Sequence, residues 1–140
     1  LRPPTIDRLG LLSSLKWLAR RTKENTGIEV EVSSYGVQQR TDPDSELLLF
    51  RIAQESLNNV WRHSNATTAQ VIIEFLDDVI KISVIDNGRG FRVPKAIGSL
   101  AESGKLGLAG MQERARLLNG NMTIKSALGK GTVVTVEAPS

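Results

Sequence analysis

The sequence predicts an α+β fold, a two-layer sandwich with helices packed on one face of a mixed sheet. Three observations carry that expectation. Two amphipathic helical stretches occupy the first half of the chain, each followed by short runs with strand periodicity. A pair of adjacent strand runs, Ala69 to Leu76 and Val79 to Asp86, meets at Asp77-Asp78, which suits a tight hairpin. A shorter helical stretch and two further strand runs then complete the chain, and its 140 residues are enough for one core.

Leu1-Arg2-Pro3-Pro4 cannot lie inside a helix, because its prolines lack the amide and fix φ, so it reads as a joint. Leu11, Leu15, Leu18 and Thr22 then recur at helical spacing, giving a helix from about Asp7 to Asn25 that Gly27 is placed to end. Ile28 to Val32 alternates as a strand, and Ser33 to Thr41 is read as a connection. Asp42-Pro43-Asp44-Ser45-Glu46 is a helix start, with an acid to cap, a proline in the first turn and further acids facing the positive end of the dipole. This second helix is predicted to continue to about Ser64. At 100° per residue it gathers Leu49, Ala53, Leu57 and Val60 on one side and Glu55, Asn59 and Arg62 in a polar stripe on the other.

The strand from Val79 places Ile80, Ile82, Val84 and Asp86 on one face, so a carboxylate ends an apolar row. Burial would cost several kcal/mol unless a protein group or a ligand donates a hydrogen bond to it. Gly88, Gly90, Gly98, Gly104, Gly107 and Gly110 follow, half of the chain's 12 glycines and more than a hairpin needs. They do not make the two common phosphate motifs. Position 93 is not glycine, so the dinucleotide fingerprint fails, and Leu106 follows Gly104-Lys105 where a P-loop requires Ser or Thr. The aperiodic stretch from Gly88 to Gly107 has the length of a functional loop, with residues 92–106 as a nucleotide lid. Leu108 to Leu118 reads as a helix ended by Asn119-Gly120, and its free amino end after Gly107 is suited to an anion. Met122 to Ile124 and Thr132 to Val136 are the last strands.

Composition narrows the function. The chain has no cysteine and one histidine, which excludes disulfides, thiolate metal sites and a histidine-rich metal centre. A net charge of +3 from 18 basic and 15 acidic residues is a small excess without a basic tract, and aromatic residues are few, so nucleic acid is not an expected partner. No apolar run approaches a membrane span and no signal peptide opens the chain, so membrane contact by this domain is not expected. Leu1 in place of Met suggests a piece of a longer chain.

Four ordered segments resemble those of bacterial sensor histidine kinases, in particular the ATP-binding catalytic domain of the nitrate- and nitrite-sensor-like subfamily. Gln54 to His63 resembles the N box, Asp86-Asn87-Gly88-Arg89-Gly90-Phe91 the first glycine box, Gly104 to Arg114 the second, and Gly131-Thr132 the terminal motif near adenine. The resemblance covers nearly the whole chain and implies the Bergerat fold of the GHKL superfamily, with ATP and Mg²⁺ as cofactors. It implies that Asp86 accepts from the adenine amino group, that Asn59 is the magnesium ligand and that Arg62 approaches the phosphates. It further places His63, Gly88, Gly90, Lys105, Gly107, Leu108, Gly110 and Thr132 at the nucleotide, and makes Glu55 the catalytic residue that orients or accepts the proton of the nucleophile. The implied partners are the kinase's own dimerisation and phosphoacceptor domain, to which residues 1–5 would be the joint, and through the full-length kinase a response regulator. The location implied is cytoplasmic, in a protein that can be anchored in the inner membrane. The resemblance also leaves open a stand-alone serine-directed anti-sigma kinase of the same superfamily and a nucleotide-binding regulatory module without transfer activity. His63, inside the N box and without a following acid, is expected to wall the site and not to accept phosphate.

Overall fold

A computed structural model describes residues 6, 8–90 and 107–140, so Asp7, the proline joint, Lys105 and the proposed lid lie outside the described residues. Five strands form one sheet in the order β1-β2-β3-β5-β4, with β1 (Glu29–Tyr35), β2 (Thr68–Phe75), β3 (Val79–Asp86), β4 (Asn121–Ser126) and β5 (Thr132–Pro139). Only β1 and β2 are parallel; the other neighbouring pairs are antiparallel, so the sheet is mixed as the sequence predicts. The helices α1 (Leu11–Thr26), α2 (Pro43–Asn59) and α3 (Leu108–Leu117) cover one face. Leu15 of α1, Leu49, Phe50 and Leu57 of α2 and Met111 of α3 meet Val71, Ile73, Ile80, Ile82 and Val136 of the sheet in a single core. The period-two reading of β3 holds: Ile80, Ile82 and Val84 are buried on the core side and Asp86 ends their row half-buried.

Local chemistry explains the boundaries. The Asp42 carboxylate accepts from the Ser45 amide at 3.1 Å and Pro43 occupies the first turn of α2, as the helix-start pattern requires. Gly27, at φ 79°, closes α1 by donating its amide to the Lys23 carbonyl. Asn119, at φ 55°, ends α3, with the Gly120 amide reaching back to the Ala115 carbonyl at 2.9 Å. Between β2 and β3, the Leu76 amide donates to the Val79 carbonyl at 2.8 Å around Asp77-Asp78.

Three expectations are corrected. First, α1 begins at Leu11, after Gly10 adopts φ 86° and ψ −170°, a conformation that interrupts the helix and is natural only to glycine. Second, β1 runs to Tyr35 and takes in part of the expected connection, because it is held by its ladder to β2, with Ser33 opposite Ile72 and Tyr35 opposite Glu74. Ser33, Ser34 and Tyr35 are exposed, so burial alternation could not reveal them. Third, the α-helix stops at Asn59, and Val60–Ser64 winds as a π-helical turn, ended by Asn65 at φ 56°. The wider turn changes the angular step assumed for a continuous α-helix, so Arg62 does not extend the Glu55–Asn59 stripe.

Glu46, an acid expected to face the helix dipole, is only 1% exposed. Arg40 reaches it with two parallel bonds, Nε to Oε2 and Nη2 to Oε1, each 3.0 Å. The same guanidinium donates to the backbone carbonyls of Arg8 at 3.1 Å and Ile6 at 3.4 Å, tying the segment before α1 to the start of α2. Removing the cation leaves a buried carboxylate without its main partner. Arg40→Ala is therefore expected to lower unfolding free energy by roughly 3 kcal/mol, the low end for a broken buried pair because the guanidinium is itself partly exposed. Arg40→Ala/Glu46→Ala should lose less than the sum of the single variants in urea titrations; a strictly additive loss would show that the pair is not coupled.

Candidate nucleotide site

The site is built where the carboxyl end of β3 meets the π-helical turn. Asn87 spans the approach with its side chain: Oδ1 accepts from the amides of Thr67 and Thr68, both at 3.0 Å, and Nδ2 donates to Thr67 Oγ1 at 2.9 Å. Arg89 fastens the other side, donating its amide to the Ser64 carbonyl and its Nε to the His63 carbonyl, each at 2.7 Å. A cation at the carbonyl end of a helix also complements its dipole. Between these two residues Gly88 lies so close to Ser64 that an added Cβ would meet the Ser64 carbonyl oxygen, Cβ at 2.5 Å and Oγ at 2.7 Å. Glycine is required there by proximity, and the sequence argument from turn conformation did not contain that reason.

Asp86 is thereby held facing a cavity whose walls include Asn59, His63, Gly90, Leu108 and Thr132, backed by the apolar Val60, Val84 and Val134. The Gly88 amide donates to Asp86 Oδ1 at 2.7 Å, and the Thr132 backbone amide is a second donor. The protein thus supplies hydrogen bonds that the sequence left to either the protein or a ligand. A carboxylate can accept about four bonds, so acceptor capacity remains. Burial pushes the Asp86 carboxyl above the usual carboxylate range, and the Gly88 and Thr132 amides draw it back in part. Thr132 is buried opposite Asp86 in the β3–β5 ladder, with its hydroxyl 2.8 Å from that of Ser126.

The remaining predicted residues fall into three places. Gly107, at φ 67°, precedes α3 without any side-chain cap, and a Cβ on it would strike the Glu55 carboxylate, with Glu55 Cδ at 2.8 Å. Glu55 and the amino end of α3 are therefore neighbours. Gly110 is exposed on α3, where an added Cβ would meet only Arg114 Nη1 at 3.5 Å. Arg62 is exposed and stacks over the Trp61 ring at 5.8 Å, away from the residues lining the cavity. Asn87 and Arg89 were legible only as turn residues; their hydrogen bonds make them the braces of the loop.

These features fit an adenine nucleotide in kind. An apolar slot ends in a half-buried carboxylate with spare acceptor capacity, Asn59 offers an amide oxygen of the type hard cations take, and an uncapped helix terminus lies beside Leu108. In this conformation the cavity is about 30 Å³, room for a water or two, so a purine would have to widen it.

Residues 44–140 match the family of histidine kinase-, DNA gyrase B- and HSP90-like ATPases. The chain is 37% identical over 141 residues to the signal transduction histidine-protein kinase/phosphatase DegS of Bacillus subtilis strain 168, covering 99% of this chain and 36% of that protein. It is 34% identical to the oxygen sensor histidine kinase NreB of Staphylococcus carnosus, over 99% of this chain and 39% of the relative. The chain therefore spans less than two fifths of the length of these curated relatives. Among solved structures, the histidine kinase domain of the Erythrobacter litoralis EL346 blue-light activated kinase superposes with a TM-score of 0.73 at 15% identity, over 92% of this chain and 64% of that one. The mycobacterial sensor histidine kinase MprB gives 0.63 at 20% identity, over 89% and 93%. These two likenesses establish the fold, which is that of histidine-kinase ATPase domains. Together with the match across most of the sequence they lead to one assignment: the chain belongs to the histidine kinase-, DNA gyrase B- and HSP90-like ATPase family and is homologous over its length to sensor histidine kinases.

Proposed function

We propose that this chain is the ATP-binding catalytic domain of a two-component sensor histidine kinase, presenting Mg·ATP for phosphoryl transfer to a histidine on a separate domain. The observation that carries the reading is the Asp86 carboxylate, set by backbone amides at the end of an apolar slot with acceptor capacity to spare. Asp86 would take the adenine amino group, with Thr132 beside it and Gly88 and Gly90 shaping the turn. Asn59 would be the magnesium ligand, and His63 would wall the site. Gly107, Leu108 and Gly110 would face the phosphates with the amides of α3, Lys105 would neutralise phosphate charge, and Arg62 would do so after leaving the Trp61 ring. Bound magnesium would supply charge neutralisation at the phosphates. Glu55, beside the amino end of α3, would orient the incoming nucleophile or accept its proton.

The partners in this reading are the kinase's own dimerisation and phosphoacceptor domain, joined through residues 1–5, and a response regulator reached through the full-length kinase. Among the described residues no helix is long and apolar enough to cross a membrane. We place this domain in the cytoplasm, with any inner-membrane anchor elsewhere in the full-length protein.

Asp86→Asn should weaken ATP binding by roughly 1 to 3 kcal/mol in calorimetry, because an acceptor is replaced by a group that can turn a donor toward the adenine amino group. Asn59→Ala should instead reduce the magnesium-dependent part of the affinity. Unchanged affinity in both variants would remove the nucleotide assignment.

The raised Asp86 carboxyl gives a pH signature with a definite sign. In the free protein this group adds stability below its unfolded value and loses that contribution as pH rises through the folded value. Binding works the other way, since only the ionised acid accepts the adenine hydrogen fully. Affinity should fall on acidification at a higher pH than an ordinary aspartate would give, and the difference between wild type and Asp86→Asn isolates this from titration of the nucleotide. Parallel pH profiles for the two proteins would exclude Asp86 as the adenine acceptor.

The chain alone should bind ATP without accumulating phosphohistidine. Mixing it with a separately produced dimerisation domain of its parent kinase should restore labelling from γ-labelled ATP, and Glu55→Gln should depress this transfer more than ATP binding. Label on the isolated chain that disappears in His63→Gln would make His63 the acceptor and overturn the scheme.

A further inference from the structure

A second concavity lies away from Asp86, between α1 and the carboxyl-terminal part of α2. It encloses about 320 Å³. Its α1 wall runs from Trp17 through Arg21 to Thr26, and the opposite wall comprises Gln54, Leu57 and Asn58 of α2 and Trp61 of the π-helical turn. The contributing α2 positions recur at i, i+3 and i+4 and Trp61 follows in the π-helical turn, so the concavity is an interhelical groove, not a hole in the core. From Trp17 to Thr26 it is roughly 13 Å long at the α-helical rise, between two and three turns of a third helix.

The groove has a firm apolar floor and a basic rim. Leu57 is 2% exposed, and the Trp17 ring leans on buried Phe50 with centroids 6.3 Å apart. Trp61, by contrast, is 51% exposed. Each tryptophan carries an arginine over its ring, Arg21 over Trp17 at 5.5 Å and Arg62 over Trp61 at 5.8 Å. Among the described residues no carboxylate lines the groove, and neither Arg21 nor Arg62 makes an ion pair. Tryptophan and arginine are the side chains that most often anchor protein interfaces, and the cations here lack their natural counterpart.

We propose that the α1–α2 groove is a docking site for an acidic amphipathic helix of a partner protein, whose aliphatic stripe lies between Trp17 and Trp61 and whose carboxylates meet Arg21 and Arg62. The geometry is that of helix-in-groove recognition, with anchors spaced one helical turn apart. The charge pattern selects for acidic flanks and against basic ones. Arg21 and Arg62 can exchange their ring contacts for ion pairs without crossing the core, because both are on the surface. The groove is a separate place from the nucleotide site, since none of its lining residues lines the Asp86 cavity, and the test rests on Arg21 and Trp61 because Arg62 also has the phosphate role proposed above.

The chain's only two tryptophans both line the groove, so intrinsic fluorescence reports directly on its occupation. The probe is a tryptophan-free helical peptide of about 18 residues with leucines at i, i+3, i+4 and i+7 and glutamates beside them, paired with a twin carrying lysine in place of glutamate. The acidic peptide is expected to give a saturable spectral shift, at least tenfold weaker for the lysine twin and weaker again as salt is raised. Arg21→Glu should reduce the acidic peptide's affinity about tenfold and raise that of the twin, while ATP affinity and the thermal unfolding midpoint stay at wild-type values. Trp61→Ala, also at the surface, should weaken the acidic peptide without favouring the twin. Equal binding of the two peptides, an affinity indifferent to Arg21→Glu, an equal shift produced by oligothymidylate, or sedimentation showing that the groove is filled by a second copy of the chain would each overturn the proposal.

Discussion

The site depends on one junction, the fastening of the chain after β3 to the carbonyl end of the π-helical turn. Arg89 supplies both of its bonds there, to Ser64 and His63, while Asn87 grips the amides that open β2. These contacts determine where Asp86 points, since the carboxylate sits immediately before them and takes the Gly88 amide at 2.7 Å. They also bring two backbones close together. Gly88 has no room for a side chain against Ser64, and the Arg89 carbonyl is drawn in on its far side by the Gly129 amide. Three segments distant in sequence thus converge on a few backbone groups, and the slot between α2 and the sheet follows from that convergence.

The π-helical turn is the structural counterpart of the junction. A continuous α-helix would have presented Glu55, Asn59 and Arg62 along one stripe. With the last five residues wound more widely, Asn59 and His63 line the slot while Trp61 lines the groove on another side and Arg62 stacks on it. One short segment therefore serves two surfaces. Ser64, whose hydroxyl donates to the Val60 carbonyl at 2.7 Å, closes the turn from within, and its own carbonyl is the acceptor that Arg89 uses.

Much of this architecture was legible in the sequence, for reasons that are local. Asp42 and Pro43 start a helix through their own capping chemistry, Gly27 ends one through its φ, and the alternation in β3 makes Asp86 conspicuous by placing a carboxylate in a row of isoleucine and valine. What was not legible depends on partners that sequence spacing does not announce. The extension of β1 rests on a ladder to β2, tens of residues away. Arg40 and Glu46 are close in sequence, but only the packing of the segment before α1 reveals why a carboxylate is buried there. The π-helical turn follows no change in composition, and the roles of Asn87 and Arg89 appear only when the start of β2 and the end of the π-helical turn lie beside them. For the candidate site, the residue types were visible in advance; their separation into slot, helix terminus and groove required the fold.

The state of Asp86 explains why a carboxylate suits this position better than a neutral acceptor. In the free protein it is partly removed from water, and its two backbone donors compensate that loss only in part, which is why its carboxyl lies above the usual range. An incoming N–H group would be met by an acceptor whose charge is undersolvated, so the hydrogen bond formed is stronger than one to a fully hydrated acid. A donor at the wrong angle, or an acceptor in its place, would leave that charge worse off than in the free protein. Discrimination would therefore come as much from the penalty on a mismatched ligand as from the bond to a matched one. The braces at Asn87 and Arg89 sharpen this effect, because a carboxylate free to swing into solvent would regain its hydration and lose the selectivity that comes with its position.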